Sequence, residues 1–260
     1  MKRIVSFVLL LMMVGLVLTG CGNTATKAPV QKKIVIGLDD NFPPMGFRDE
    51  KNNIVGFDID MAKEAAKRLG MEVEFKPIDW SSKEAELNGK RIDALWNGMN
   101  ITEKRKENIL FSEPYMDGKQ LVFLPKGSSA KSLEDLKGKV VGLQSASTAD
   151  EIIEANKEMK ASFKEVRKYG DCVAAFMDLQ TGRVDAVITD EIFGRYFISK
   201  KPDTFVVLDK VVGEVGILGI GFRKEDKELR DKVQKVLDEM KKDGTSAKIS
   251  KQWFGVDIVR

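Results

Sequence analysis

Apolar positions along the chain change period several times, and each change marks an element. Ile34-Val35-Ile36 and Val73-Glu74-Phe75 are short β-branched or alternating runs, which predict strands. Between them, residues 58–69 place Ile59, Ala62, Ala65, Ala66 and Leu69 on one helical face, and Gly70 follows as a residue suited to end that helix. The same rhythm returns as a strand over 139–143, helices over 148–157 and 172–181, and a strand over 186–189. Strands alternating with helices in this way predict α/β units with mostly parallel sheets. A Gly-rich strand over 215–222 precedes two helical patterns, 227–242 and 245–253. These are too short for a further unit, so they are expected to pack on one already formed.

A weak internal repeat divides this pattern in two. Residues 87–95 (Leu-Asn-Gly-Lys-Arg-Ile-Asp-Ala-Leu) parallel residues 179–187 (Leu-Gln-Thr-Gly-Arg-Val-Asp-Ala-Val), with Asp93 and Asp185 in matching places. Each copy reads as a helix end, a Gly turn and an Asp-led strand, which predicts two lobes of like design. The expected division is 34–117 plus 219–260 for the first lobe and 118–218 for the second, with chain crossings at about 117–121 and 213–219. Two crossings permit bending while opposing twist and separation.

The N-terminus belongs to neither lobe. Lys2 and Arg3 precede an uncharged apolar run over 4–18, about the length of a secretory h-region and short of a membrane span. Leu18-Thr19-Gly20-Cys21 closes it and resembles a lipobox, the site where bacterial lipoproteins are acylated on cysteine and cleaved. Residues 1–20 are therefore expected to be a lipoprotein signal peptide, with Cys21 the lipidated residue and 21–33 a polar, lipid-anchored linker. The formal charge of +3 falls to +1 once Lys2 and Arg3 are removed, which gives no basis for nucleic-acid binding. Of the two cysteines, Cys172 has no partner if Cys21 is acylated, and it reads as a small buried apolar residue. The absence of histidine removes His-based triads, general bases and metal sites together. No cofactor or metal is expected.

Several motifs then fall in one order: Gly37-Leu38-Asp39-Asp40-Asn41-Phe42-Pro43-Pro44-Met45, Val55-Gly56-Phe57-Asp58-Ile59-Asp60, Gly98-Met99-Asn100-Ile101-Thr102-Glu103-Lys104-Arg105, Phe111-Ser112-Glu113-Pro114-Tyr115 and Thr189-Asp190-Glu191. This series resembles the extracellular solute-binding proteins, family 3 type, of polar amino-acid ABC transporters, over essentially all of 34–254. The resemblance implies a two-lobed periplasmic-binding-protein-like fold of type II, with mixed sheets flanked by helices and two hinge strands. It implies a monomer without enzymatic activity that closes on a free polar L-amino acid and presents it to a membrane permease. With the lipobox it implies a place at the outer face of the cell membrane, or in the periplasm where there are two membranes.

Each matched residue then has a physical task. A zwitterion needs a cation for its carboxylate and an anion for its ammonium. Arg105, just inside a helix that Thr102 would cap, can meet the carboxylate in a bidentate fork. Gly98 would let backbone N–H groups approach the same oxygens, and Thr148 would add an N–H from the start of a second-lobe helix. Asp190 matches the family's ammonium-binding aspartate, assisted by Asn100. Read without the resemblance, Arg105 could equally be a solvated helix charge and Asp190 a simple N-cap.

For the ligand side chain the candidates are Phe42, in the family's stacking position, with Asp39, Trp80, Glu84, Trp96, Asn97 and Ser145. Asp39 and Glu84 would favour a cationic side chain with cation–π help from Phe42 or Trp80, while the same aromatics would suit a long ligand such as cystine. An alternative reading on the same scaffold is a lyase or dehydratase acting on a cyclic amino-acid precursor, with Glu84 as the acid–base group.

Overall fold

The computed structural model describes residues Lys32–Arg260; the leader, Cys21 and the spacer through residue 31 lie outside the described residues. Two five-stranded sheets dominate. The first runs in the order Glu72–Pro77, Lys33–Leu38, Ala94–Leu95, Gly221–Phe222, Leu110–Phe111, and the second in the order Glu165–Tyr169, Val140–Gln144, Ala186–Asp190, Gln120–Pro125, Phe205–Leu208. In each sheet the first three strands are parallel and the fourth is antiparallel to its neighbours. The repeat explains part of this likeness. Val35 donates its N–H to the Asp93 carboxylate at 2.9 Å and accepts the Asp93 N–H at 2.7 Å. Val140 and Asp185 make the same reciprocal pair, both bonds at 2.8 Å. Each aspartate thus fixes the register of the short strand it leads against the strand beside it.

An antiparallel ribbon of Met116–Gly118 and Gly216–Leu218 joins the sheets. The Gly-rich run predicted as one strand over 215–222 is therefore two, Gly216–Leu218 in the ribbon and Gly221–Phe222 inside the first sheet. The helix predicted over 148–157 also divides, into Thr148–Ala155 and Lys157–Ser162. Asn156 leaves helical geometry between them, and its side chain caps the second piece by accepting the Met159 N–H.

The C-terminal helices Lys227–Lys242 and Thr245–Phe254 pack on the first lobe, burying Val233, Val236, Leu237 and Met240. Arg68 reaches Asp243 at 2.7 Å, and the Trp253 indole N–H donates to Asp60 at 2.9 Å, so both tail helices are tied to helix Phe57–Leu69. In the second lobe Phe123, Phe176, Phe193, Phe197 and Phe205 form one aromatic cluster. Gly194 belongs to it by lacking a side chain, since a Cβ there would overlap the Phe123 ring. Among the described residues no helix is long and apolar enough to cross a membrane.

Candidate functional site

A narrow cavity, partly open to solvent, lies where the two sheets present their strand ends to each other. The first lobe lines it with Asp39, Phe42, Trp80, Asn97, Gly98, Asn100 and Arg105, and the second with Gln120, Gln144, Ser147, Thr148, Thr189 and Asp190.

Arg105 is 1% exposed. Thr102 caps its short helix, the hydroxyl accepting the Arg105 N–H at 3.2 Å. The guanidinium donates from Nε to Glu151 at 2.8 Å, from Nη1 to the Asn100 carbonyl at 3.0 Å and from Nη2 to the Ala146 carbonyl at 3.3 Å. Three of its five N–H groups are thus engaged, and two remain for a guest carboxylate. Burial lowers its pKa, and Glu151 opposes that shift. Glu151 comes from helix Thr148–Ala155 of the second lobe and also accepts the Thr102 hydroxyl at 3.0 Å. Ala146 adopts a positive φ of 55°, and its carbonyl receives Lys83 Nζ at 2.8 Å as well as Arg105. Lys83 is buried too, and burial, reinforced by the Arg105 charge, pulls it down to about 8.

The acids stand apart from these cations. Asp190 ends strand Ala186–Asp190 and caps the next helix, accepting the Ile192 N–H at 2.9 Å and Gln120 Nε2 at 3.4 Å. Asp39 accepts the Asn41 N–H at 2.9 Å and, across the cleft, Gln144 Nε2 at 2.7 Å. Burial pushes Asp190 up to about 7 and Asp39 up to about 6. Among the described residues neither carboxylate has a lysine or arginine within ion-pair distance. Among the charged residues that line the cavity, Asp39 and Asp190 stand against Arg105 alone, one excess negative charge when both acids are ionised.

The remaining sequence candidates take varied positions. Asn97 accepts the Asp39 N–H at 3.1 Å. Phe42 stacks on Phe193 of the other lobe, centroids 5.2 Å apart, while lining the cavity beside Trp80. Thr148 opens its helix directly after the N-cap, which is Ser147, so its N–H has no intrahelical acceptor. Gly98 differs from expectation: its N–H goes to the buried Asp58 carboxylate at 2.6 Å and is not free for a ligand. It has φ of 58°, and a Cβ there would stand 3.1 Å from the Phe42 ring.

Three candidates lie off the cavity. Glu84 accepts from Asn108 at 3.3 Å on the outer side of its helix, and its neighbour Lys83 takes the inward position. Trp96 sits in the first-lobe core. Ser145 continues the sheet by donating its N–H to the Tyr169 carbonyl at 2.8 Å, and Ser147 lines the cavity in its place. Gln120, Gln144 and Ser147 are not among the sequence candidates, since uncharged residues at strand and helix ends carry no local signal, and Thr189 enters there only through the Thr189-Asp190-Glu191 motif. Cys172 is buried beside Thr189 and Gln144, and burial raises its thiol pKa, so it is inert packing.

The family model of bacterial extracellular solute-binding proteins, family 3, matches residues 34–256, and the chain belongs to that family. It is 32% identical over 229 residues to the L-cystine-binding protein TcyJ of Escherichia coli, covering 87% of this chain and 84% of that protein. It is 34% identical over 244 residues to the arginine-binding extracellular protein ArtP of Bacillus subtilis, covering 91% and 92%. Among solved structures, an ABC uptake transporter substrate-binding protein of Streptococcus pneumoniae with bound histidine aligns with a TM-score of 0.84 at 35% identity, covering 87% of this chain and 94% of that one. These relatives are binding proteins, and none supports the lyase reading, whose acid–base group Glu84 lies outside the cavity.

Proposed function

We propose that this protein captures a free L-amino acid with a cationic side chain between its lobes and delivers it to the permease of an ABC importer. Arg105 and the Thr148 N–H hold the α-carboxylate, and Asp190 with Asn100 holds the ammonium. Asp39 takes the side-chain cation, with Phe42 and Trp80 presenting aromatic surface to it. The observation that carries this reading is the pair of buried carboxylates, Asp39 and Asp190, without protein cations against them. Burying an unpaired charge is costly, so a guest bringing two positive groups and one negative group is favoured over a neutral zwitterion. The arginine-binding relative agrees in kind. Closure follows from the geometry: the cavity is lined by both lobes, so only their approach lets one guest touch all of these groups.

Calorimetry with L-arginine, L-lysine, L-histidine, L-glutamine and L-cystine tests the ligand class. The cationic amino acids should bind most tightly. Asp39→Asn should cost them about tenfold or more while changing glutamine by less than about threefold. Tight cystine binding with no response to arginine or lysine would overturn the cationic assignment.

The Leu18-Thr19-Gly20-Cys21 sequence supports a lipid anchor on Cys21 that tethers the protein outside the membrane. The protein expressed in cells fed labelled palmitate should incorporate the label, and Cys21→Ala should abolish that incorporation. Absence of label from the wild-type protein, or equal labelling of the variant, would remove the anchor from the proposal.

A further inference from the structure

Asn100 touches each part of the molecule that has to move together. Its carbonyl accepts from Arg105 at 3.0 Å, and its backbone forms an antiparallel bridge with Leu218 of the connecting ribbon. The flanking bonds, Ile101 N–H to the Ile217 carbonyl at 2.8 Å and Gly219 N–H to the Met99 carbonyl at 2.9 Å, hold that bridge in place. Its buried side-chain amide lies beside the Asp190 carboxylate, both within reach of the same point on Gly118, and its polarity favours the ionised acid.

The seat of that amide is two glycines. Gly118 and Gly216 pair directly across the ribbon. Neither has the positive φ that calls for glycine. A Cβ on Gly118 would stand 2.9 Å from Asn100 Oδ1, 2.9 Å from Leu218 Cδ2 and 3.4 Å from Asp190 Oδ2, and one on Gly216 would stand 2.5 Å from Asn100 Oδ1. The missing side chains therefore serve space and not backbone conformation.

We propose that Gly118 and Gly216 are positioning residues for the ligand site, seating the Asn100 amide between the connecting ribbon and Asp190. The setting of the ribbon and the setting of the ammonium-binding carboxylate are then transmitted through one amide. This rests on the assignment of Asp190 to the ligand ammonium.

The test is a double-mutant cycle. A thermal-shift panel of the twenty L-amino acids and L-cystine identifies the tightest binder, which is then titrated calorimetrically into each variant. Gly216→Ala should weaken binding about tenfold or more with little change in ligand-free melting temperature, because an alanine at ordinary φ is tolerated by the backbone but displaces the amide. Adding it to Asn100→Ser, whose shorter side chain vacates the contested space, should cost less than about twofold further. Gly118→Ala should weaken binding in the same sense, but its Cβ also meets Leu218 Cδ2, so the cycle is read on Gly216. Wild-type affinity in both alanine variants, or an undiminished Gly216→Ala penalty in the Asn100→Ser background, would overturn the proposal. So would a ligand-free melting temperature lowered by more than about 10 °C in both, since the glycines would then serve folding. Asp190→Asn separates the two readings: if it binds normally, the site assignment fails, and if it does not bind while Gly216→Ala does, only the coupling fails.

Discussion

Arg105→Ala should abolish measurable ligand binding, a loss of at least about 3 kcal/mol. The guanidinium is fully buried, and alanine removes the fork offered to the carboxylate. It also takes the guanidinium from the Asn100 carbonyl, and leaves Glu151 with only the Thr102 hydroxyl and the Ala146 carbonyl with only Lys83. Because Glu151 and Ala146 belong to the opposite lobe, the same change weakens the closed arrangement itself. Arg105→Lys should recover only part of the loss, since an ammonium restores charge without the planar fork. Calorimetry decides the matter, with a ligand-free melt to show that the variant is folded. Binding within threefold of wild type would remove Arg105 from the site.

Asp190→Asn should weaken binding by about a hundredfold or more, because an amide cannot neutralise a buried ammonium. Asparagine can still cap the following helix, so the variant separates recognition from local structure. Its ligand-free stability should move in the other direction. Burial raises the Asp190 pKa from 3.8 to about 7 in the folded protein, so the folded state holds the proton more tightly than the unfolded chain does. The carboxyl therefore destabilises the fold progressively as pH rises from about 4 to about 7, and that penalty persists above. At pH 8 the asparagine variant should melt at or above wild type, and its profile between pH 4 and 7 should be flatter. A lower melting temperature with unchanged binding would show Asp190 to be only a cap.

The elements that periodicity marks clearly are those whose apolar face meets a single neighbour, such as helix Phe57–Leu69 and helix Lys227–Lys242. The run 215–222 looked continuous because both of its halves are strands, and no local feature says that they belong to different sheets. Charged site residues were legible because a buried charge needs a reason, and Arg105, Asp190 and Asp39 all stand in the matched motifs. Glu84 shows the limit of such reasoning: one position along a helix turns a side chain by about 100°, and Lys83 faces inward instead. Gly98 shows another, since Asp58, forty residues away in sequence, claims its N–H. Glu151 as a partner of Arg105 is a juxtaposition made only by the approach of two lobes.

The strand Gly221–Phe222 lies between Ala94–Leu95 and Leu110–Phe111, although the whole second sheet separates them along the chain. All strands of the second sheet fall within residues 120–208, one uninterrupted stretch. Synthesised from the N-terminus, the second lobe can therefore reach its native pairing while the first still has a gap in the middle of its sheet. The half that begins the described polypeptide is the last to be completed, and a chain halted between residues 208 and 221 has every strand of the second sheet but leaves Ala94–Leu95 and Leu110–Phe111 without the strand that joins them.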